Sequence, residues 1–251
     1  MLPAQRRKEI KDYLVNNGFA SVEELGKLFE VSGMTIRRDL DELQRQGLLA
    51  RTYGGAMDNE KAFFEMSFQA KTSLFAEEKE RIGRASAALI SHGETVFIDS
   101  GTTTFQVARF LKGKNITAIT TSLNIALELA ASPMVDIHVT GGILQKGSLN
   151  VFGPQTENFI NQVRADKAFI GVEGVDVNSG ISVPDPFNAQ NKQSMVRISK
   201  TNYVVVDHSK LGRSTASHIT ALENVDLIIT GKEADPEILA QLRKKVEIIL
   251  V

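Results

Sequence analysis

The chain of 251 residues contains no cysteine, which excludes a disulfide framework, a thiol nucleophile and a cysteine-ligated zinc. It has no run of about 18 apolar residues that could span a bilayer. Its N-terminal stretch lacks the apolar core of a secretory signal and enters a helical pattern almost at once. A cytoplasmic protein with no membrane partner is expected. Net charge is also nearly absent: 29 Lys and Arg against 30 Asp and Glu leave −1 at pH 7, too little to coat nucleic acid or anionic lipid. The four histidines, His92, His138, His208 and His218, fall at no close metal-ligand spacing, so neither a metal nor another cofactor is expected. Internal repeats and low-complexity tracts are missing as well.

What is present begins with a three-helix pattern. Ile10, Leu14 and Val15 mark a first helix, Ser21 can cap a second carrying Val22, Leu25, Leu28 and Phe29, and Ser32 can cap a third. In the third helix Ile36, Leu40 and Leu43 share one stripe, which a small domain would bury. Met34, Arg38, Asp41 and Arg45 then point away, with Thr35 and Arg37 on the shoulders. A helix-turn-helix presents the first turns of its last helix to the major groove, so Ser32, Thr35, Arg37 and Arg38 are the candidate DNA contacts. Arg can fork onto guanine, and Ser or Thr can reach a base or a phosphate. The segment GLLARTYGGA follows, strand-like around Arg51 and Tyr53 with glycines suited to a tight return, which adds Arg51, Tyr53 and Gly54 as backbone contacts in a β-wing. Residues 1–57 hold 9 Lys or Arg and 8 Asp or Glu, so basic side chains must act by placement rather than by bulk charge.

Residues 58–76 scatter Phe63, Phe64, Met66, Phe68, Leu74 and Phe75 among charges and are expected to form an ordered connector whose aromatics pack on the second domain or on a partner subunit. From Glu77 to the end, a helix over residues 77–90 leads into apolar runs TVFID, ITAIT, VDIHVT, DKAFIGV, YVVVD, DLIIT and VEIIL. That alternation predicts a larger α/β domain, 77–251, with a mainly parallel sheet. Ligands of such sheets bind beyond the strand C-termini. There the sequence places Asp99, Ser100, Gly101, Thr102, Thr103 and Thr104 before a helix, a pattern suited to phosphate. Thr121 and Ser122, Gly141 and Gly142, Glu173, Gly174 and Asp176, and His208, Ser209 and Lys210 follow the other runs. Lys210 can pair with an anion, while Asp99 and Asp176 can accept from sugar hydroxyls. Together they outline a polyol-phosphate pocket.

The TIRRDL helix followed by R-x-Y-G-G-A resembles the N-terminal winged helix-turn-helix domain of the DeoR family of bacterial transcriptional regulators. The series D-S-G-T-T, G-G, F-I-G-V-x-G-x-D and D-x-S-K is similar to that family's C-terminal effector domain, itself related to ribose-phosphate isomerases. The resemblance covers nearly the whole chain. It implies a repressor of a carbohydrate catabolism operon, with operator DNA as one partner and a phosphorylated sugar effector as the other. Glu173 stands where many members carry Asp, and Leu144-Gln145 follow the glycine pair where a basic residue is often seen. A rival reading makes the second domain a sugar-phosphate isomerase, with Asp176, Asp207 or Lys210 moving a proton. The fused DNA-binding domain favours the regulator, and paired half-sites call for a homo-oligomer, dimer or tetramer, held by the C-terminal domain.

Overall fold

The computed structural model describes residues 2–17, 19–46, 48–52, 55–58 and 68–251. The chain divides into two compact units, Met1–Ser67 and Phe68–Val251.

In the first unit, helices α1 (Pro3–Asn17), α2 (Val22–Leu28) and α3 (Gly33–Arg45) accompany a three-stranded antiparallel sheet of β1 (Phe19–Ser21), β2 (Leu49–Thr52) and β3 (Gly55–Asp58), in the order β1-β3-β2. This is a helix-turn-helix with a β-wing. Ser21 opens α2 through a reciprocal capping box: its Oγ accepts from the Glu24 N–H at 3.1 Å, and Glu24 Oε2 accepts from the Ser21 N–H at 2.8 Å. Ile10, Leu14, Val22, Leu25, Ile36, Leu40, Leu43, Leu49 and Ala56 form the core of this unit. Leu28, which shares the helical spacing of Val22 and Leu25, is exposed instead, because the seven-residue α2 turns only one side to that core. The aromatics Phe63 and Phe64, and Met66, lie outside the described residues.

The second unit is a three-layer α/β/α arrangement. Its central sheet has seven strands: β4 (Thr95–Ile98), β5 (Ile116–Thr120), β6 (Val135–Val139), β9 (Ala165–Ile170), β12 (Ser199–Val205), β14 (Leu227–Thr230) and β15 (Glu247–Leu250). Their order is β15-β14-β12-β9-β4-β5-β6, and every neighbouring pair is parallel. Consecutive side chains in a strand face opposite sides, and the packing follows. Phe97, Ala168, Ile170, Val204 and Ile228 join one core cluster, whereas Val96, Ile98, Phe169, Val205 and Ile229 join another. The second cluster is closed by α5 (Ala76–Ala88), α6 (Thr102–Arg109) and α7 (Leu123–Leu129), through Ile82, Val107, Ile125 and Leu129. The first is closed by α8 (Pro154–Gln162), α9 (Pro186–Ile198) and α10 (Pro236–Leu242), through Ile160, Met195, Leu239 and Leu242.

The short helix α4 (Phe68–Ser73) packs on α6, the Phe68 and Phe105 rings meeting edge to face at 5.5 Å. Two short hairpins interrupt the alternation: β7 (Ile143–Gln145) with β8 (Asn150–Phe152), and β10 (Gly174–Asp176) with β11 (Gly180–Val183), the latter extended by β13 (Ser217–Thr220). Strands β4 and β9 lie side by side, and the chain leaves them in opposite directions, β4 toward β5 and β9 toward β12. The crevice at such a switch point, beyond the strand C-termini, is where ligands of open α/β sheets bind.

Candidate functional site

At the leading end of α3, Ser32 is the cap. Its Oγ accepts from the Thr35 N–H at 3.2 Å and lies 2.9 Å from Thr35 Oγ1, so the two hydroxyls are already joined. Burial of Ile36, Leu40 and Leu43 turns Met34, Arg37 and Arg38 outward, all three exposed. Asp39 is not their partner: it is buried, with Oδ2 2.5 Å from Arg6 Nε of α1. A buried pair of this kind ties α1 to α3 and leaves the arginine face to solvent. Arg51 lies on β2 opposite Ala56. Tyr53 and Gly54 lie outside the described residues.

In the second unit, β4 delivers Asp99 into the switch point. The carboxylate is almost completely buried, and its Oδ2 accepts from the Gly171 N–H at 2.9 Å and contacts Lys192 Nζ of α9. Burial pushes the Asp99 carboxyl up, while Lys192 and then the Gly171 N–H pull it back down. Through Oδ2, Asp99 ties the β4 turn to β9 and α9. Ser100, Gly101 and Thr102 are partly exposed beside it. Gly101 precedes α6 at φ +155°, and no side chain caps that helix among the described residues, so its first N–H groups keep their unmet donor capacity. Thr103 is nearly buried, and Thr104 is fully so, its hydroxyl donating to the Gly101 carbonyl at 3.0 Å. Thr104 shapes the turn rather than facing a ligand.

The remaining candidates separate. Glu173 follows β9 and gathers two cations, Lys210 Nζ at 2.9 Å and Lys71 Nζ of α4 at 3.7 Å. Lys79 of α5, also buried, donates to the Lys71 carbonyl at 2.7 Å. Burial holds both the Lys71 and Lys79 ammonium groups below the usual 10.5; Lys210 lowers each further, while Glu173 beside Lys71 and Asp207 beside Lys79 oppose this. Thr121 is fully buried, its hydroxyl without a partner among the described residues, and Ser122 caps α7 by accepting from the Ile125 N–H at 3.4 Å.

Gly141 and Gly142 both have positive φ, and a Cβ on Gly142 would sit 2.6 Å from the Phe152 carbonyl oxygen. A Cβ on Gly174 would lie 2.7 Å from the Arg213 carbonyl oxygen. Gly142 and Gly174 are thus packing glycines. Asp176 is occupied by its own hairpin turn, where Oδ1 accepts from the Asn178 and Ser179 N–H groups at 2.9 and 2.7 Å. Those bonds hold its carboxyl below the ordinary value. Asp207 accepts from the Ser209 N–H at 3.2 Å, and His208 pairs through Nδ1 with Glu78 Oε2 at 2.8 Å.

Comparison with known proteins places this arrangement. Residues 6–62 match the DeoR-like helix-turn-helix domain and residues 74–232 the DeoR C terminal sensor domain. The chain belongs to the DeoR family of transcriptional regulators. Among its relatives, a putative aga operon transcriptional repressor of Escherichia coli O157:H7 is 34% identical, over 99% of this chain and 94% of the relative. The glycerol-3-phosphate regulon repressor of Escherichia coli K12 is 35% identical over 92% and 91%. The HTH-type transcriptional repressor GlcR of Bacillus subtilis strain 168 is 32% identical over 92% and 90%. This DeoR-family chain is accordingly a DNA-binding transcriptional regulator with a sensor domain. Among its described residues no helix is long and apolar enough to cross a membrane.

Sequence reasoning passed over four residues of the DeoR-family sensor unit: Lys71, Lys79, Lys192 and Glu78. Lys71 and the Glu78-Lys79 pair precede the first sheet strand, and Lys192 sits mid-helix among polar residues. Nothing local distinguishes them from solvated charges. Only the parallel sheet order brings them to the strand ends.

Proposed function

We propose that this protein is an operator-binding repressor of a carbohydrate catabolism operon whose DNA affinity is set by a phosphorylated sugar or sugar derivative held at the β4–β9 switch point. The observation that carries this reading is the set of lysines at that edge, Lys71, Lys79 and Lys210, which share one neighbourhood with Glu173 and Asp207, with Lys79, Lys210 and Asp207 buried and Lys71 and Glu173 half-buried. The uncapped N-terminus of α6 follows β4 at that end of the sheet, where Asp99 accepts from the Gly171 N–H. A phosphate at Ser100–Thr103 accepts from the helix N–H groups and gains from the helix dipole. It also competes with Glu173 for Lys210 and Lys71, so arrival of the anion rearranges ion pairs that link α4 to the strand ends. The glycerol-3-phosphate regulon repressor among the relatives is consistent with a small phosphate ester as the effector class.

Operator reading falls to Arg37 and Arg38, with Ser32 and Thr35 at the helix start and Arg51, Tyr53 and Gly54 in the wing as backbone contacts. The protein acts in the cytoplasm as a homo-oligomer that presents two recognition helices to paired half-sites. The effector acts by linkage, binding one arrangement of the assembly more tightly than another. A coupling of about 1–3 kcal/mol changes operator affinity roughly 5- to 150-fold.

The test is a thermal-shift series on the full chain with phosphorylated sugars and their unphosphorylated counterparts, followed by operator titration with each stabilising compound. A phosphate ester is expected to raise the melting temperature by mass action and to change operator affinity, while its unphosphorylated form does neither. Equal stabilisation by both forms, or stabilisation with no change in operator affinity, overturns the assignment.

A further inference from the structure

Among the described residues, one end of the seven-stranded sheet is a bare edge. Strand β6 is terminal in the sheet order, its inner neighbour being β5. Edge strands invite pairing with another chain, and proteins usually guard them with Pro, charged side chains or bulges. Strand β6, VDIHV, contains no Pro or Lys and pairs with β5 in unbroken register; its one charged side chain of fixed sign is Asp136. Of the ten large apolar side chains exposed among the described residues, Leu127, Met134, Val139, Ile143 and Leu144 fall in or around this strand in sequence.

The hydrogen-bond phase of β6 is fixed by its inner side. The Thr140 N–H donates to the Thr120 carbonyl, and the Met134 carbonyl accepts from the Ile116 N–H. In a parallel strand the N–H and C=O of one residue point the same way and alternate along the chain. Even-numbered residues therefore serve β5, and Val135, Ile137 and Val139 turn their backbone groups outward. Asp136 and His138 are exposed and neighbour one another, Oδ2 and Nε2 being 3.4 Å apart.

We propose that this edge joins a second copy of the chain, β6 against β6 in antiparallel register about a two-fold axis at Ile137, making one continuous sheet across the dimer. The register is self-complementary in three respects. Ile137 faces Ile137 of the other copy, and Val135 faces Val139; these are the residues with outward backbone groups, so each outward N–H meets an outward carbonyl. Asp136 faces His138 in the alternate positions, where an antiparallel pair brings Cα atoms to about 4.5 Å and side chains closest. A shift of one residue would set inward-bonded backbone against outward. A shift of two would break the Asp–His match. Only an identical strand offers this symmetry, which is that of an isologous two-fold interface. The proposal deepens the oligomer part of the functional reading, and it is tested without effector or operator, so its failure leaves the effector assignment standing.

The experiment is sedimentation velocity on the full chain across a concentration series. Val139→Pro deletes an outward donor and leaves the bonds to β5 intact, a substitution that edge strands tolerate. His138→Glu sets like charges face to face. Each is expected to weaken self-association by at least about tenfold, and Asp136→Lys combined with His138→Glu, which sets Lys against Glu in the facing positions, is expected to recover most of it. A monomeric parent overturns the proposal. So does parental association in His138→Glu, whatever Val139→Pro does, or a double variant that associates no better than His138→Glu alone.

Discussion

Lys192 Nζ of α9 contacts Asp99 Oδ2 at the end of β4, both side chains buried, 93 residues apart in the chain. The pair fastens a helix of one sheet face to the turn that precedes a helix of the other. Breaking it from one side strands a buried charge, which is strongly destabilising, whereas an apolar or neutral pair of similar volume is tolerated better.

Lys192→Met is accordingly expected to destabilise the sensor unit by about 3–5 kcal/mol, and adding Asp99→Asn is expected to recover part of that loss. Chemical denaturation followed by far-ultraviolet circular dichroism reads both. If Lys192→Met alone is as stable as the parent, the buried pair is not what fixes the β4 turn.

Arg6 and Arg38 separate stability from DNA reading. Arg6→Met leaves Asp39 buried without its 2.5 Å partner, so the melting temperature of the N-terminal unit should fall and operator binding with it. Arg38→Ala changes an exposed residue on the outer face of α3. It should leave melting unchanged and cost about 1–3 kcal/mol in discrimination among operator bases. Operator titration beside calorimetry distinguishes the two. Loss of stability in Arg38→Ala, or unaltered affinity, would contradict the outward assignment.

Helices α5 and α6 touch through Gly83. A Cβ there would lie 2.6 Å from the Gln106 carbonyl carbon and Cβ, far inside contact distance. Gly83→Ala should therefore destabilise by about 1–3 kcal/mol through overpacking. Because α6 begins at the Gly101 turn, the variant should also weaken phosphate-ester binding beyond what its lower stability explains. Isothermal titration well below the melting temperature measures this. Parental stability would mean that the two helices part at little expense.

The elements legible in the sequence were those set by local rules. Ser21 and Ser32 are caps of the kind their spacing announces, the Ile36-Leu40-Leu43 stripe is buried, and the apolar runs TVFID to VEIIL are strands of a parallel sheet. The proposed site can be reached from the sequence as a location, the strand ends, but not as chemistry. Asp99 and Asp176 read alike in sequence, since each is an acid after a strand. One is neutralised from a distant helix, and the other is consumed by its own turn. The cations that distinguish this edge come from α4, α5 and α9, and their convergence depends on strand order, which no local pattern encodes. The Gly142 and Gly174 positions read in sequence as part of a pocket outline, and a Cβ at either would meet backbone atoms of β8 or of the Arg213 segment.

Lys79 offers a pH test of the effector site. Burial, reinforced by Lys210, holds its ammonium below 10.5, against the pull of Asp207. A phosphate ester beside Lys79 favours its protonated form and raises that pKa again. Between the lowered value and 10.5 the free folded protein has released the proton that both the unfolded chain and the complex retain. Two consequences of opposite sign follow by linkage. Stability of the free protein should rise with pH across that interval, because the unfolded state binds more protons there. Phosphate-ester affinity should fall across the same interval, and binding should be accompanied by proton uptake. Titration calorimetry from about pH 7 up to 10.5, in buffers of different ionisation enthalpy, detects the uptake. Lys79→Met should flatten both trends. Affinity that is level across this range in the parent, with no proton uptake, would remove the lysine cluster from the effector site and leave the α6 N-terminus to bind the anion alone.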